Sequence, residues 1–201
     1  MKFGILIFAD AEELDFVGPW EVITSSVMVR NKGAIPDGEA FLIAETADPV
    51  RCAKGMRVVP DYTIDNAPAM DVLLIPGGMG TRALAKNQRV IDWVEKVSAS
   101  CTWVTSVCTG SLILGVAGLT KGKRVTTHWA FIEELRKQEL SAEVLENIRY
   151  VRDGNVITAA GVSAGIDMAL WLIGEIWGED HARSVQHYIE YNPAPPYAAA
   201  V

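Results

Sequence analysis

The chain has 201 residues, of which half are hydrophobic and 21% are charged. This length suits one domain with a sizeable core, and the composition excludes a disordered or fibrous chain. Acidic residues outnumber basic ones by 25 to 18, so the formal net charge is −7 and does not favour binding to phosphate backbones. We therefore predict a globular protein, a single domain over residues 1–201, with no nucleic-acid partner.

The amino-terminal apolar run, residues 2–9, is too short to cross a bilayer and predicts a buried strand instead of a membrane contact. Cys52, Cys101 and Cys108 form neither a CxxC pair nor an even framework, and no signal sequence precedes them. We therefore expect reduced thiols and a cytoplasmic protein. Cys52 and Cys101 are expected to be structural.

Short apolar runs alternate with longer amphipathic stretches along the chain. Residues 87–98 illustrate the second kind, since their apolar side chains recur on one side of a helix. This alternation indicates an α/β protein with a mainly parallel sheet. The predicted strands of that sheet are residues 2–9, 40–45, 71–75, 102–107 and 124–127.

Two further pairs of segments are predicted as antiparallel additions to the sheet. Residues 58–60 and 62–64 are expected at its edge, and Asp153-Gly154 favours a tight hairpin. The strands of that hairpin are residues 150–152 and 155–158.

The last third of the chain predicts two helices and an extended tail. The helices span residues 163–177 and 180–191, and His181 and His187 are expected on the surface of the second one. The closely spaced prolines of residues 192–197 predict an extended segment that lies along a surface, which a second subunit could provide.

The most informative stretch is an apolar strand that runs into Cys108, then into small residues and a helical pattern. This context is typical of a nucleophile elbow, which lifts one side chain above the carboxyl edge of a sheet. Backbone N–H groups at the start of the next helix favour a thiolate, so Cys108 is the candidate nucleophile. A buried structural cysteine is the alternative.

A second strand, residues 71–75, runs into Gly77-Gly78 and is expected to end at the same edge as Cys108. Glycines let backbone amides approach a ligand closely, so the N–H groups of Gly78 and Thr109 could form an anion-stabilising pair beside the sulfur. A plain tight turn is the alternative.

Asp15 and His128 are the candidate acid–base groups. Asp15 lies between Leu14 and Phe16, an apolar setting that raises the pKa of a carboxyl group, although an acid capping a helix at the surface is the alternative. His128 ends a predicted strand near the same edge, where it either pairs with the cysteine or packs beside Trp129.

Nucleotide and metal motifs are weak in this sequence. Residues 78–83 fit only the looser form of GxGxxG that ends in Ala, no acidic residue closes the next strand, and GxxxxGK[ST] does not occur. His128, His181 and His187 show neither HExxH nor clustered Cys/His spacing. We therefore predict no cofactor and no metal.

Several separated motifs resemble those of the ThiJ/PfpI superfamily and together cover nearly the whole chain. Within the superfamily, the Cys-Thr-Gly elbow, residues 161–167 (GVSAGID) and residues 190–196 (EYNPAPP) are most similar to its isonitrile-hydrating branch. The motifs shared with the superfamily are Asp15 with Gly18-Pro19, Pro76-Gly77-Gly78, residues 106–110 (SVCTG) and residues 126–129 (TTHW).

This resemblance implies a flavodoxin-like three-layer sandwich, a homodimer, and cofactor-free hydration of an isonitrile to a formamide through a thioimidate. Cys108 would be the nucleophile, Asp15 its acid–base partner, and Thr109 would lie beside them. The small-molecule substrate would contact Gly77, Gly78 and His128. Protease-like and glutaminase-like branches commonly carry His where Thr109 stands, so peptidase or amidase activity is not expected.

Alternatives remain at this point. The same thiol and acid would suit chemistry on reactive carbonyls, such as methylglyoxal hydration or deglycation. A different class is a non-catalytic redox or ligand sensor with an oxidisable Cys108. Similar motifs also occur in amino-terminal domains of some AraC-type regulators, but no helix-turn-helix follows in this chain, so a regulator would act through a partner protein.

Overall fold

The computed structural model describes residues 1–193, so the predicted tail, residues 192–197, lies outside the described residues from position 194 onward. The strands are β1 (Lys2–Leu6), β2 (Glu39–Ala44), β3 (Val50–Arg51), β4 (Arg57–Val58), β5 (Tyr62–Thr63), β6 (Val72–Ile75), β7 (Trp103–Val107), β8 (Arg124–Val125), β9 (Glu143–Val144), β10 (Tyr150–Asp153) and β11 (Val156–Ala159). The helices are α1 (Glu13–Ser26), α2 (Thr81–Leu84), α3 (Gln88–Ser98), α4 (Gly110–Val116), α5 (Ile132–Lys137), α6 (Ala164–Trp177) and α7 (Glu179–Tyr188), with a 3₁₀ turn at Trp129–Phe131 before α5.

The main sheet has seven strands in the order β10-β11-β7-β6-β1-β2-β5. Its neighbours run parallel except β10, which forms the predicted antiparallel hairpin with β11. Helices α1, α6 and α7 pack together on one face, and α2, α3 and α4 form the group on the other. These three layers confirm the predicted α/β class with a mainly parallel sheet.

Apart from the exposed Lys2, the central strands β1 and β6 are apolar and buried because helices cover both faces of the sheet, which removes the alternation seen in half-exposed strands. The side chains of Phe3, Ile5 and Leu73 are at most 1% exposed. Helix α3 begins where the Asn87 side chain accepts a hydrogen bond from the Val90 N–H. Among residues 1–193, no helix has the length and apolar character that a bilayer span requires.

Two predictions about strands are wrong. Residues 124–127 do not join the main sheet, because β8 is only two residues long and pairs with β9 in a separate parallel pair. Strand β5 runs parallel to β2, and the antiparallel pair near this edge is formed by β3 with β4. The β3–β4 hairpin turns the chain back before β5, so β5 enters the edge in the same direction as β2.

His181 is buried, contrary to the prediction, whereas His187 is exposed. The His181 Nε2 atom lies 2.9 Å from the Ser26 carbonyl oxygen at the end of α1. Helical spacing puts His181 on the same side of α7 as the buried Val185, and this side packs on α1 and α6. His181 therefore joins two helices and takes no part in the site described next.

Candidate active site

The loops that follow four strands of the main sheet meet at one edge of that sheet. Strand β1 leads to Asp15 in the first turn of α1, β6 leads to Gly77-Gly78, and β7 leads to Cys108. Strand β11 ends at Ala159, beside β7. Because parallel strands end at a common edge, residues far apart in sequence meet at Cys108.

The chain turns sharply at Cys108, whose φ of 55° lies in the left-handed region. Four hydrogen bonds hold this conformation, which costs a non-glycine residue roughly 1–2 kcal/mol. The Cys108 N–H donates to the carbonyls of Ala159 and Ala160, at 3.1 and 2.9 Å. The Cys108 carbonyl accepts from the hydroxyls of Thr127 and Ser111, at 2.9 and 3.1 Å. The predicted strand–turn–helix geometry is therefore present.

Crowding at this turn explains two glycines, Gly110 two residues after Cys108 and Gly77 in the loop after β6. A Cβ atom on Gly110 would lie 2.2 Å from the Ile75 carbonyl oxygen. A Cβ atom on Gly77 would lie 2.5 Å from the Thr109 nitrogen and 2.7 Å from the Cys108 Cβ. The loop after β6 therefore packs directly against the turn after β7, and a larger side chain would separate them.

Asp15 is completely buried, and its two carboxyl oxygens differ in their surroundings. Oδ2 accepts a hydrogen bond of 2.8 Å from the Gly77 N–H, whereas Oδ1 has no conventional partner among residues 1–193. Burial and the nearby Glu12 charge raise the pKa of Asp15 to about 7, while the Gly77 N–H and the Cys108 thiol oppose this rise. The rise predicted from the apolar neighbours is thus confirmed, with burial as its main cause.

The Cys108 thiol is 7% exposed, and burial together with the Asp15 charge raises its pKa to about 12. The N–H and hydroxyl of Thr109 interact with the sulfur and lower its pKa, as expected at a helix start, but burial has the larger effect. The expectation that the turn favours a resting thiolate is therefore wrong. The resting group is a thiol beside a carboxyl group.

The expected pairing of Gly78 and Thr109 N–H groups beside the sulfur is not formed. The Gly78 N–H donates to the Thr109 hydroxyl at 3.0 Å, and this hydroxyl lies 3.1 Å from the Gly78 carbonyl oxygen. The Gly77 N–H is taken by Asp15. These two glycines, predicted as substrate contacts, thus hold Asp15 and Thr109 in place with their N–H groups.

His128 lies at the cavity above Cys108 but is not hydrogen-bonded to the cysteine. Its Nδ1 accepts from the Ala130 N–H at 3.2 Å, and its ring packs against Gly161 so closely that a Cβ there would lie 2.2 Å from Cδ2. Burial lowers the pKa of His128 and so favours the neutral form of the ring. Asp15, and not His128, is therefore the titratable group in contact with the thiol.

The cavity above Cys108 has a volume of about 290 Å³. Sequence reasoning did not single out Arg82 and Phe131 in its wall, because Arg82 occupies a variable position of the loose glycine pattern at residues 78–83 and Phe131 belongs to no recognised motif. The lining of the cavity includes Glu12, Met79, Arg82, Cys108, Thr109 and Phe131. A larger cavity of about 370 Å³ lies at the ends of β1 and β2, but cysteine and histidine are missing from its described lining. No group of three or more metal-ligating side chains is assembled within residues 1–193.

The fold and the site define an α/β protein with a cysteine on a sharp strand–helix turn and a buried carboxyl group beside it. The profile of the DJ-1/PfpI family matches residues 1–175. The chain belongs to this family.

Two enzymes and one solved structure are among the proteins to which the chain is similar. The chain is 40% identical to isonitrile hydratase from Pseudomonas putida over 197 residues, which cover 98% of this chain and 81% of that protein. It is 26% identical to a glutathione-independent glyoxalase from Caenorhabditis elegans, over 88% of each chain. The crystal structure of a ThiJ/PfpI family protein from Pseudomonas syringae matches with a TM-score of 0.89 and 33% identity, over 100% of this chain and 78% of that one.

Proposed function

We propose that this protein hydrates isonitriles to N-substituted formamides, with Cys108 as the nucleophile and Asp15 as the general acid and base. The observation that carries the proposal is the buried pair of a thiol and a carboxyl group, in which Oδ2 is held by Gly77 while Oδ1 is free to exchange a proton. The 40% identity to an isonitrile hydratase supports it.

The first half of the reaction adds the thiol across the terminal carbon of R–N≡C. As the carbon approaches, the Cys108 proton passes to Asp15 Oδ1 and the sulfur forms the S–C bond. The same proton then moves from Oδ1 to the carbon, which gives the thioimidate R–N=CH–S on Cys108. A thiol with a pKa of about 12 needs this transfer, because almost none of it is ionised beforehand.

The second half hydrolyses the thioimidate. Asp15 takes a proton from water as the water oxygen bonds to the carbon, and it returns that proton to the nitrogen. The adduct R–NH–CH(OH)–S then forms its C=O bond and breaks its C–S bond, while the hydroxyl proton returns to the sulfur through Asp15. The products are the formamide and the original thiol, so no co-reactant besides water is consumed.

The raised pKa of Cys108 also bears on the sensor alternative. Oxidation by peroxide needs an accessible thiolate, whereas this thiol is 7% exposed and protonated at rest. A bound electrophile that displaces water and draws the proton onto Asp15 suits these surroundings better. The buried thiol therefore favours an enzyme over a peroxide sensor.

The test supplies the purified protein with cyclohexyl isocyanide and, in parallel, with methylglyoxal. We expect N-cyclohexylformamide and no lactate, together with a quenched adduct on the Cys108 peptide in the mass spectrum. The Cys108→Ala variant is expected to be inactive, and Asp15→Asn to lose about 10²-fold or more in kcat, the usual scale of general acid–base catalysis. Lactate without formamide would instead assign the protein to the glyoxalase reaction named for its nematode relative.

The matched control is Cys101→Ala, because Cys101 is a second buried cysteine whose sulfur contacts the Met70 and Val97 carbonyls. It is expected to keep wild-type turnover. Unchanged formamide production by Cys108→Ala, or no production by the wild-type protein from any isonitrile, would refute the proposal.

We also propose that the protein acts as a homodimer. Met79 and Trp129 lie at or next to the cavity lining and are 70% and 77% exposed, an unusual state for large apolar side chains. Light scattering coupled to size-exclusion chromatography tests this proposal, and a monomer at micromolar concentration would refute it.

A further inference from the structure

The cavity above Cys108 contains a cation that the proposed reaction does not use. Arg82 extends from α2, and its Nη1 donates to the Gly78 carbonyl at 3.1 Å and lies 3.3 Å from the Thr81 hydroxyl. Its Cζ lies 4.7 Å from the centre of the Phe131 ring. The hydrogen bonds and the cation–π contact fix the guanidinium group at the cavity wall.

Arg82 differs from the other charged group of this wall in having no counter-ion. Glu12 forms an ion pair with Lys54, although its charge still acts on Asp15 and raises the pKa of that carboxyl group. Within residues 1–193, by contrast, no carboxylate lies within 4.0 Å of the Arg82 guanidinium, and Nε and Nη2 have no hydrogen-bond partner. The cavity wall thus presents an uncompensated positive charge with free donors.

This charge lies close to the reacting sulfur. The Gly78 carbonyl oxygen lies 3.1 Å both from Arg82 Nη1 and from the hydroxyl of Thr109, which is the neighbour of Cys108. The cavity of about 290 Å³ is at the lower limit of ligand sites. A small molecule that reaches the sulfur can therefore also reach Arg82.

We propose that Arg82 binds a carboxylate on the substrate, so that the preferred electrophiles are small isonitriles that carry an acidic group. The choice of an isonitrile as the substrate rests on the proposed function, whereas the anion-binding role of Arg82 does not. A guanidinium group suits this task because its paired N–H donors match the two oxygens of a carboxylate. The overall charge of −7 repels anions at long range, which makes a local cation the means of retaining one.

The first experiment measures alkylation of Cys108 by iodoacetate and by iodoacetamide, which have nearly the same size and differ in charge. In both reactions the sulfur bonds to the CH₂ carbon, iodide leaves with the bonding pair, and the thiol proton passes to Asp15 and then to solvent. The rate constant for iodoacetate is divided by that for iodoacetamide, both read from the Cys108 peptide by mass spectrometry. This ratio is expected to fall roughly tenfold in Arg82→Met, as for the loss of one charge-assisted contact.

Two further variants make this ratio specific. Arg82→Lys keeps the charge and is expected to retain part of the preference for iodoacetate. Arg183→Met removes an arginine whose side chain is 72% exposed on α7, and it is expected to leave the ratio unchanged. A general change in thiol reactivity cancels in the ratio. An unchanged ratio in Arg82→Met would mean that Arg82 only supports the loop after β6, and would overturn the proposal.

The second experiment compares turnover of isocyanoacetate with that of its methyl ester. The wild-type protein is expected to prefer the acid by about tenfold in kcat/KM, and Arg82→Met to lose this preference. A preference for the ester that is the same in both proteins would overturn the proposal. Should the wild-type protein hydrate cyclohexyl isocyanide but neither of these two compounds, the proposed preference for acidic isonitriles fails while the proposed function stands. Should it hydrate none of the three, the proposed function fails as well, and the alkylation ratio still decides whether Arg82 binds an anion.

Discussion

Replacing Asp15 with asparagine is expected to stabilise the folded protein above neutral pH. The pKa of Asp15 is about 7 in the folded protein, against a model value of 3.8. Between these values the folded chain keeps a proton that the unfolded chain has lost, so stability falls as the pH rises. Each unit of pKa difference corresponds to about 1.4 kcal/mol, so burying the ionised carboxylate costs about 4 kcal/mol above pH 7. Asparagine removes this cost and retains an acceptor for the Gly77 N–H.

Urea denaturation of both proteins at several pH values measures the effect. We expect the two free energies of unfolding to agree near pH 4 and to diverge by about 1.4 kcal/mol per pH unit, up to about 4 kcal/mol, with Asp15→Asn the more stable. Asp92→Asn is the matched control, since it makes the same substitution at a carboxylate that is exposed. It is expected to change stability by less than about 0.5 kcal/mol.

A difference between wild type and Asp15→Asn that does not depend on pH would refute this reasoning. So would an Asp15→Asn protein that is less stable than wild type at pH 8. Either result would mean that the carboxyl group is ionised at little cost in the folded protein, and the proton exchange proposed between Asp15 and Cys108 would lose its basis.

Three further substitutions test the supports of the site. Gly77→Ala places a Cβ 2.5 Å from the Thr109 nitrogen, so we expect slower alkylation of Cys108, and an unchanged rate would contradict the packing. Thr127→Val removes the hydroxyl that donates to the Cys108 carbonyl and is expected to cost about 1–2 kcal/mol in urea unfolding, with Thr127→Ser restoring it; equal losses would contradict that role. His181→Phe leaves a carbonyl of α1 without its partner and is expected to cost about 1–3 kcal/mol, whereas a surface histidine would cost almost nothing.

The positions of Asp15 and Cys108 could be predicted because each follows a buried strand of one parallel sheet. The carboxyl ends of such strands share an edge, so sequence order alone brings their loops together. The apolar neighbours of Asp15 likewise predicted the direction of its pKa. Local patterns thus identified the groups and the edge where they meet.

The protonation and hydrogen-bonding state of the site could not be predicted in this way. A helix start lowers the pKa of a thiol, but the degree of burial decides the outcome, and burial depends on loops from the whole edge. The Gly78 N–H is unavailable because the Thr109 hydroxyl accepts from it, a tertiary contact with no local signal. The position of Arg82 in the cavity wall could not be predicted for the same reason, since its partner Phe131 belongs to a turn that is distant in sequence.

The proton on Asp15 links the stability of the fold to the reactivity of Cys108. Only the ionised carboxyl group can accept the thiol proton, so the rate of alkylation by iodoacetamide is expected to rise about tenfold per pH unit below pH 7 and to level off above it. The free energy of unfolding falls over the pH range below this same midpoint, the Asp15 pKa of about 7. In Asp15→Asn the plateau is expected to vanish, and the rate to climb into the alkaline range where the thiol itself ionises. A wild-type rate that rises without levelling from about pH 5 to 9 would show that the thiol reacts without help from Asp15.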